Sequence, residues 1–199
     1  MNILIIAEKP SVANRIAFSL GNSSTKTITE KSGVRYYVLQ RESDTLYVVS
    51  AAGHLFTIHQ SDKAVGYPIL NVEWAPSYRV NPSAEYTKAY LDTISLVAGK
   101  CDFFINACDY DTEGTVIGMN ILKFINADEE KSKRMKFSTT TTQDLNDSYT
   151  NLMPLDIDNF YAGETRHILD WLWGINLSRA LSSAFASSGR RTPLSIGRV

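Results

Sequence analysis

Three carboxylates fall within five residues in the stretch Asp109-Tyr110-Asp111-Thr112-Glu113-Gly114. Like charges this close repel one another, so protons or a cation must neutralise them. Mg2+ is the natural neutraliser, a hard ion that takes carboxylate oxygen. A second acid stands near the amino terminus in Glu8-Lys9-Pro10-Ser11. Both groups also have plainer readings. Asp111 suits the cap of a helix, and Glu8 suits compensation of a helix dipole.

The flanking residues set where these groups sit. Residues 103–108 form a short apolar run that reads as a buried strand, and residues 115–124 carry Val116, Ile117, Met119, Ile121 and Leu122 at helical spacing. Residues 2–7 are a second apolar strand; Pro10 suits the first turn of the helix that follows, with Val12, Ala13, Ile16, Ala17 and Leu20 on one face. Both acidic groups therefore lie at strand-to-helix switches, where open α/β sheets bind ligands. Right-handed crossovers bring the two strand ends to one edge, so that Glu8, Asp109, Asp111 and Glu113 form one acidic site.

Residues 27–39 and 45–50 read as strands, and Ala51-Ala52-Gly53-His54-Leu55 leaves the sheet through a glycine. His54 either holds that loop or contacts a phosphate. Residues 62–82 contain Pro68, Pro76 and Pro82 and read as an ordered surface excursion; residues 85–97 read as a helix, 134–137 as a short strand and 143–152 as another helix. The threonines at 139–142 suit helix capping. Met153-Pro154 marks a boundary, and residues 159–185 form a long aromatic-rich helix, bent at Gly174, with Arg166 and Asp170 as i,i+4 neighbours. The predicted fold is α/β: a mostly parallel sheet of about four strands flanked by helices over residues 1–153, then the helical start of a second domain over 154–199.

The chain has 199 residues, 44% of them hydrophobic and 21% charged, with net charge −1. No apolar run approaches the roughly 20 residues that cross a bilayer, and the chain reads as cytoplasmic with no membrane partner. Cys101 and Cys108 bracket a strand and lie too far apart for a disulfide. All five basic residues after position 150 are Arg: Arg166, Arg179, Arg190, Arg191 and Arg198. No acid follows Asp170. The planar guanidinium fork suits phosphate.

Glu8 after one apolar strand and Asp-x-Asp-x-Glu-Gly after another resemble the Toprim domain shared by topoisomerases, bacterial primases and some nucleases. Four further segments resemble type IA DNA topoisomerases, chiefly the topoisomerase III branch. They are Ala7-Glu8-Lys9-Pro10-Ser11-Val12-Ala13, Ser50-Ala51-Ala52-Gly53-His54-Leu55, the run from Arg166-His167 to Ser178-Arg179, and Leu194-Ser195-Ile196-Gly197-Arg198-Val199. The resemblance covers essentially the whole chain. It departs at Thr115, where most members carry Glu or Gln. It also departs in lacking the family's catalytic tyrosine motif: the sole Tyr-Pro is Tyr67-Pro68, followed by Ile69-Leu70. The chain therefore reads as the first part of a longer enzyme.

The resemblance implies transient single-strand cleavage through a 5′-phosphotyrosine, with the tyrosine outside this chain. It implies Glu8 as the acid for the leaving 3′-oxygen, Lys9 as the cation on the phosphoryl oxygens, and Mg2+ at Asp109 and Asp111 with Glu8 and Glu113 assisting. It implies single-stranded DNA along His54, Arg166, Asp170, Arg179, Arg190, Arg191 and Arg198, and the remaining domains of the parent enzyme as partners. A Toprim primase or nuclease, or a non-catalytic DNA-binding module, is the alternative. A dinucleotide-binding domain fits poorly, because Glu8-Lys9-Pro10 stands where its Gly-x-Gly-x-x-Gly loop belongs.

Overall fold

Ile3, Leu4, Ile5, Ile6 and Ala7 are all buried, as a central parallel strand covered on both faces requires. In a computed structural model, which describes residues 1–21 and 24–187, they form β1 (Asn2–Ala7). Then follow α1 (Pro10–Gly21), β2 (Lys26–Thr29), β3 (Arg35–Arg41), β4 (Asp44–Ser50), β5 (Phe56–Gln60), β6 (Val72–Pro76), α2 (Ser77–Val80) and α3 (Tyr86–Ala98). The chain continues through β7 (Phe103–Ala107), α4 (Thr112–Phe124), β8 (Ser132–Arg134), α5 (Thr142–Thr150) and α6 (Ile157–Ser187).

The main sheet has the order β2-β3-β4-β1-β7-β8. The strands β4, β1, β7 and β8 run parallel, and β2 and β3 add an antiparallel edge. Alternation along β1 divides the core. Ile3, Ile5 and Ala7 pack with Ile16 and Leu20 of α1 and Leu145 of α5. Leu4 and Ile6 pack with Leu91 and Ile94 of α3 and Val116 and Ile121 of α4.

The structure corrects three sequence expectations. Residues 27–39 form two strands, because Gly33 N donates to Glu30 O at 2.9 Å and closes a turn between them. The sheet therefore has six strands. The excursion at 62–82 contains β6, which pairs with β5 as a separate hairpin. Helix α6 runs unbroken through Gly174, where a side chain would meet no neighbour within 4 Å.

Met153 closes the sheet edge by exchanging backbone hydrogen bonds with Arg134 at 2.8 and 2.9 Å. Helix α6 then crosses α4 closely. Phe160 and Gly163 are its buried residues, and a Cβ on Gly163 would come within 2.5 Å of Val116 Cγ2. Farther along α6, Leu169 and Trp173 are exposed, the latter by 72%, while Trp171 and Leu177 are half-buried. Among the described residues no helix is long and apolar enough to cross a membrane.

Candidate active site

Ala7 and Ala107 are direct partners at the carboxyl ends of β1 and β7. Glu8 therefore emerges beside the turn that carries Asp109, as the crossover argument requires. Lys9 Nζ lies 3.1 Å from Glu8 Oε1 and 2.9 Å from Asp109 Oδ2. The hydrogen bonds to Asp109 and then Glu8 raise the ammonium's pKa above its ordinary value, so it stays charged. Glu8 is buried and Lys9 is half exposed, which puts the cation at the mouth of the site.

A second cation supports the floor. Arg134, 1% exposed, donates to Asn106 O at 3.1 Å, Asn106 Oδ1 at 2.9 Å and Asp109 O at 2.8 Å. Burial holds its pKa below the ordinary value. Its role is to fix the strand end from which Asp109 projects. The ring of Tyr110 lies under Lys136 Nζ, 4.1 Å from the centroid.

Asp111 is the N-cap of α4, with Oδ1 accepting from Gly114 N at 2.7 Å. Its other oxygen accepts no hydrogen bond among the described residues. Asp111 N also donates to Asp109 O at 2.9 Å, so the two aspartates share one tight turn. Gly114 lies against the Asp109 backbone with no room for a side chain: a Cβ would be 2.9 Å from Asp109 N and C and nearer still to its carbonyl oxygen. Beside Asp109 opens a surface pocket of about 560 Å³ lined by Tyr110, Phe137 and Ser138, Thr139 and Thr140. Thr141 caps α5 by accepting from Asp144 N, as capping predicts.

Among the described residues Glu113 pairs with neither Lys9 nor the two aspartates and faces other partners. His54 Nε2 lies 3.3 Å and His167 Nε2 2.8 Å from its Oε2, and Arg166 Nη1 lies 3.6 Å from its Oε1. Burial pushes the Glu113 carboxyl up, but the His167 hydrogen bond and the charges of His167, His54 and Arg166 outweigh it and hold the pKa below the usual range. Burial is likewise the main cause of the lowered His54 pKa. His54 thus holds its loop against α4 and α6, and Gly53, at φ 79°, makes the turn that delivers it.

Arg166 also reaches Asp170 Oδ2 at 4.0 Å, the expected i,i+4 pairing. Arg179 differs from a free phosphate ligand. Its guanidinium donates to Gly66 O at 2.8 Å and Gln60 Oε1 at 3.3 Å, because the 61–71 loop presents backbone oxygens to α6. Asn176 docks the same loop through Ile69 N and O. Arg190, Arg191 and Arg198, with the 194–199 segment, lie outside the described residues. Sequence reasoning singled out neither Arg134 nor His167 as a site residue. An Arg in a three-residue strand and a His beside an Arg carry no local signal of what they touch.

Glu8, Asp109 and Asp111 are all oxygen donors, the type a hard divalent cation takes, although among the described residues the one group of three whose ligating atoms lie within 4.8 Å of one another is His54, Glu113 and His167. The fit has a physical sign: the Lys9 ammonium is already held between two of these carboxylates.

The Toprim domain model matches residues 3–140. This chain belongs to the Toprim domain family. It is 46% identical over 202 residues to DNA topoisomerase 1 of Pyrococcus horikoshii, an alignment covering 99% of this chain and 29% of that protein. It is also 46% identical to DNA topoisomerase 1 of Pyrococcus furiosus, over 99% of this chain and 19% of that protein. The chain thus spans less than a third of the length of these relatives. Full-length topoisomerase I from Thermotoga maritima shares the fold, with a TM-score of 0.59 at 20% identity over 98% of this chain and 27% of that one. In this Toprim domain the acidic turn after β7 faces Glu8 and Lys9 across adjacent strands.

Proposed function

We propose that this chain is the Toprim part of a type IA DNA topoisomerase, which cleaves one DNA strand transiently through a 5′-phosphotyrosine. The observation that carries the reading is the Lys9 ammonium bridging Glu8 and Asp109 across β1 and β7. A phosphodiester entering there meets a fixed positive charge where negative charge develops on the phosphoryl oxygens. Glu8, one residue away, is placed to protonate the departing 3′-oxygen and to take the proton back on religation. Asp109 and Asp111 would hold Mg2+, which would supply charge neutralisation and positioning of the DNA backbone. Glu113 contributes less directly than its place in the motif suggests, because His54, His167 and Arg166 engage it.

The attacking tyrosine comes from outside residues 1–199, in further domains that pack on α6. The exposed Leu169 and Trp173 support such a covering surface. Single-stranded DNA runs past Arg166, with Arg190, Arg191 and Arg198 as further phosphate contacts. The site acts in the cytoplasm.

Plasmid relaxation by the protein that carries this chain tests the reading. Negatively supercoiled DNA is relaxed in Mg2+, not in chelator, and Asp111→Asn slows the reaction. Cleaved strands carry covalently attached protein at the 5′ end. Free 5′-phosphates on all cleaved strands would instead mark a hydrolytic nuclease and reject the proposal.

A further inference from the structure

His54, Glu113 and His167 come from three separate elements: the loop after β4, the first turn of α4, and α6. Their ligating atoms all lie within 4.8 Å of one another. Both imidazoles address the same carboxylate oxygen, Glu113 Oε2, from 3.3 and 2.8 Å. Their rings meet edge-on, with centroids 5.5 Å apart. The indole of Trp74 also packs edge-on against His167, at 5.4 Å. The side chains are 43%, 39% and 29% exposed, so all three are accessible to an ion from solvent.

Two imidazoles and a carboxylate are a donor set for borderline transition ions, not for Mg2+, which demands oxygen and octahedral geometry. Bonds of about 2.0–2.2 Å to a tetrahedral Zn2+ put ligand atoms about 3.4 Å apart. The 3.3 Å spacing of His54 and Glu113 meets that, the 2.8 Å contact of His167 would lengthen by about half an ångström, and the two imidazole nitrogens lie within 4.8 Å of each other. Arg166 lies 3.6 Å from the other carboxylate oxygen, Oε1, which leaves Oε2 to bind a metal alone.

We propose that His54, Glu113 and His167 bind a transition-metal ion, Zn2+ first, with water in the fourth position. The ion would pin α6 to the β4 loop and α4, independently of whether the Asp109 site processes DNA. Its donors and place differ from the carboxylates at Asp109 and Asp111.

Titration of the purified chain with Zn2+ by calorimetry, and with Co2+ by visible absorption, tests the proposal. One equivalent should bind, with the spectrum of tetrahedral cobalt on nitrogen and oxygen ligands and no thiolate charge-transfer band. His54→Ala and His167→Ala should each weaken binding at least about tenfold, and His59→Ala should leave it unchanged. In the unsubstituted chain, Zn2+ should shift the imidazole NMR signals of His54 and His167 and spare His59. Unchanged affinity in either variant, a thiolate band from Cys101, competition by excess Mg2+, or signals of His54 and His167 indifferent to Zn2+ would each overturn the proposal.

Discussion

Gly114→Ala separates local helix propensity from the packing of the acidic turn. Gly114 is in the first turn of α4 and is not among the glycines with positive φ, so the backbone accepts alanine. Propensity alone predicts a gain of about 1 kcal/mol. The added Cβ, however, would stand 2.9 Å from Asp109 N and C and closer to its carbonyl oxygen, against 3.4–4 Å for ordinary contact. These are backbone atoms and cannot rotate away. Overpacking of this kind costs about 1–3 kcal/mol. Shifting the turn also weakens the Asp111 cap on Gly114 N, worth about 1 kcal/mol, and the Arg134 bond to Asp109 O, worth about 1.5 kcal/mol. With the propensity gain set against these, the expected net loss is about 2.5–4.5 kcal/mol. Urea unfolding followed by circular dichroism reads it directly. A variant as stable as the parent, or more so, would show that α4 does not press on Asp109.

Arg134→Met keeps the volume and removes three hydrogen bonds beneath the site. It should cost about 2–4 kcal/mol in chemical denaturation, because the Asp109 carbonyl loses its donor while the charge no longer needs burying. Asp144 accepts from Thr139 N, Thr139 Oγ1 and Ser138 N, and these bonds, the Thr139 backbone first, hold its carboxyl below the ordinary 3.8. A lowered carboxyl stabilises the fold above pH 3.8 and ceases to do so as pH falls through the folded value. Melting followed from neutral pH down through that window should therefore show a smaller acid-induced loss in Asp144→Asn than in the parent.

Much of the site was legible because short apolar runs and helical spacing mark both strand-to-helix switches, and handedness sets β1 beside β7. The tight turn and the Asp111 cap follow from local sequence too. Other contacts depend on distant partners. Glu113 reads as the third member of an acidic group, yet it meets His167, 54 positions away, once α6 folds across α4. Arg134 reads as the first residue of a short strand with no role at the site, and only the sheet order shows it beneath Asp109. Arg179 reads as a phosphate ligand, but the 61–71 loop supplies an oxygen first. The strand break after Thr29 was marked by Gly33, a signal that the β-rich residues on either side outweighed.

The central claim is that Glu8 carries the proton for strand cleavage and religation in a site whose charge Lys9 balances. The direct test is the single-turnover rate of Mg2+-dependent oligonucleotide cleavage by the protein bearing this chain, parent against Glu8→Gln, with DNA affinity measured alongside. The amide keeps the shape and hydrogen-bonding reach but cannot exchange a proton. Cleavage should fall by about 10²–10⁴-fold, with affinity nearly unchanged. Cleavage at the parent rate would contradict the assignment of Glu8.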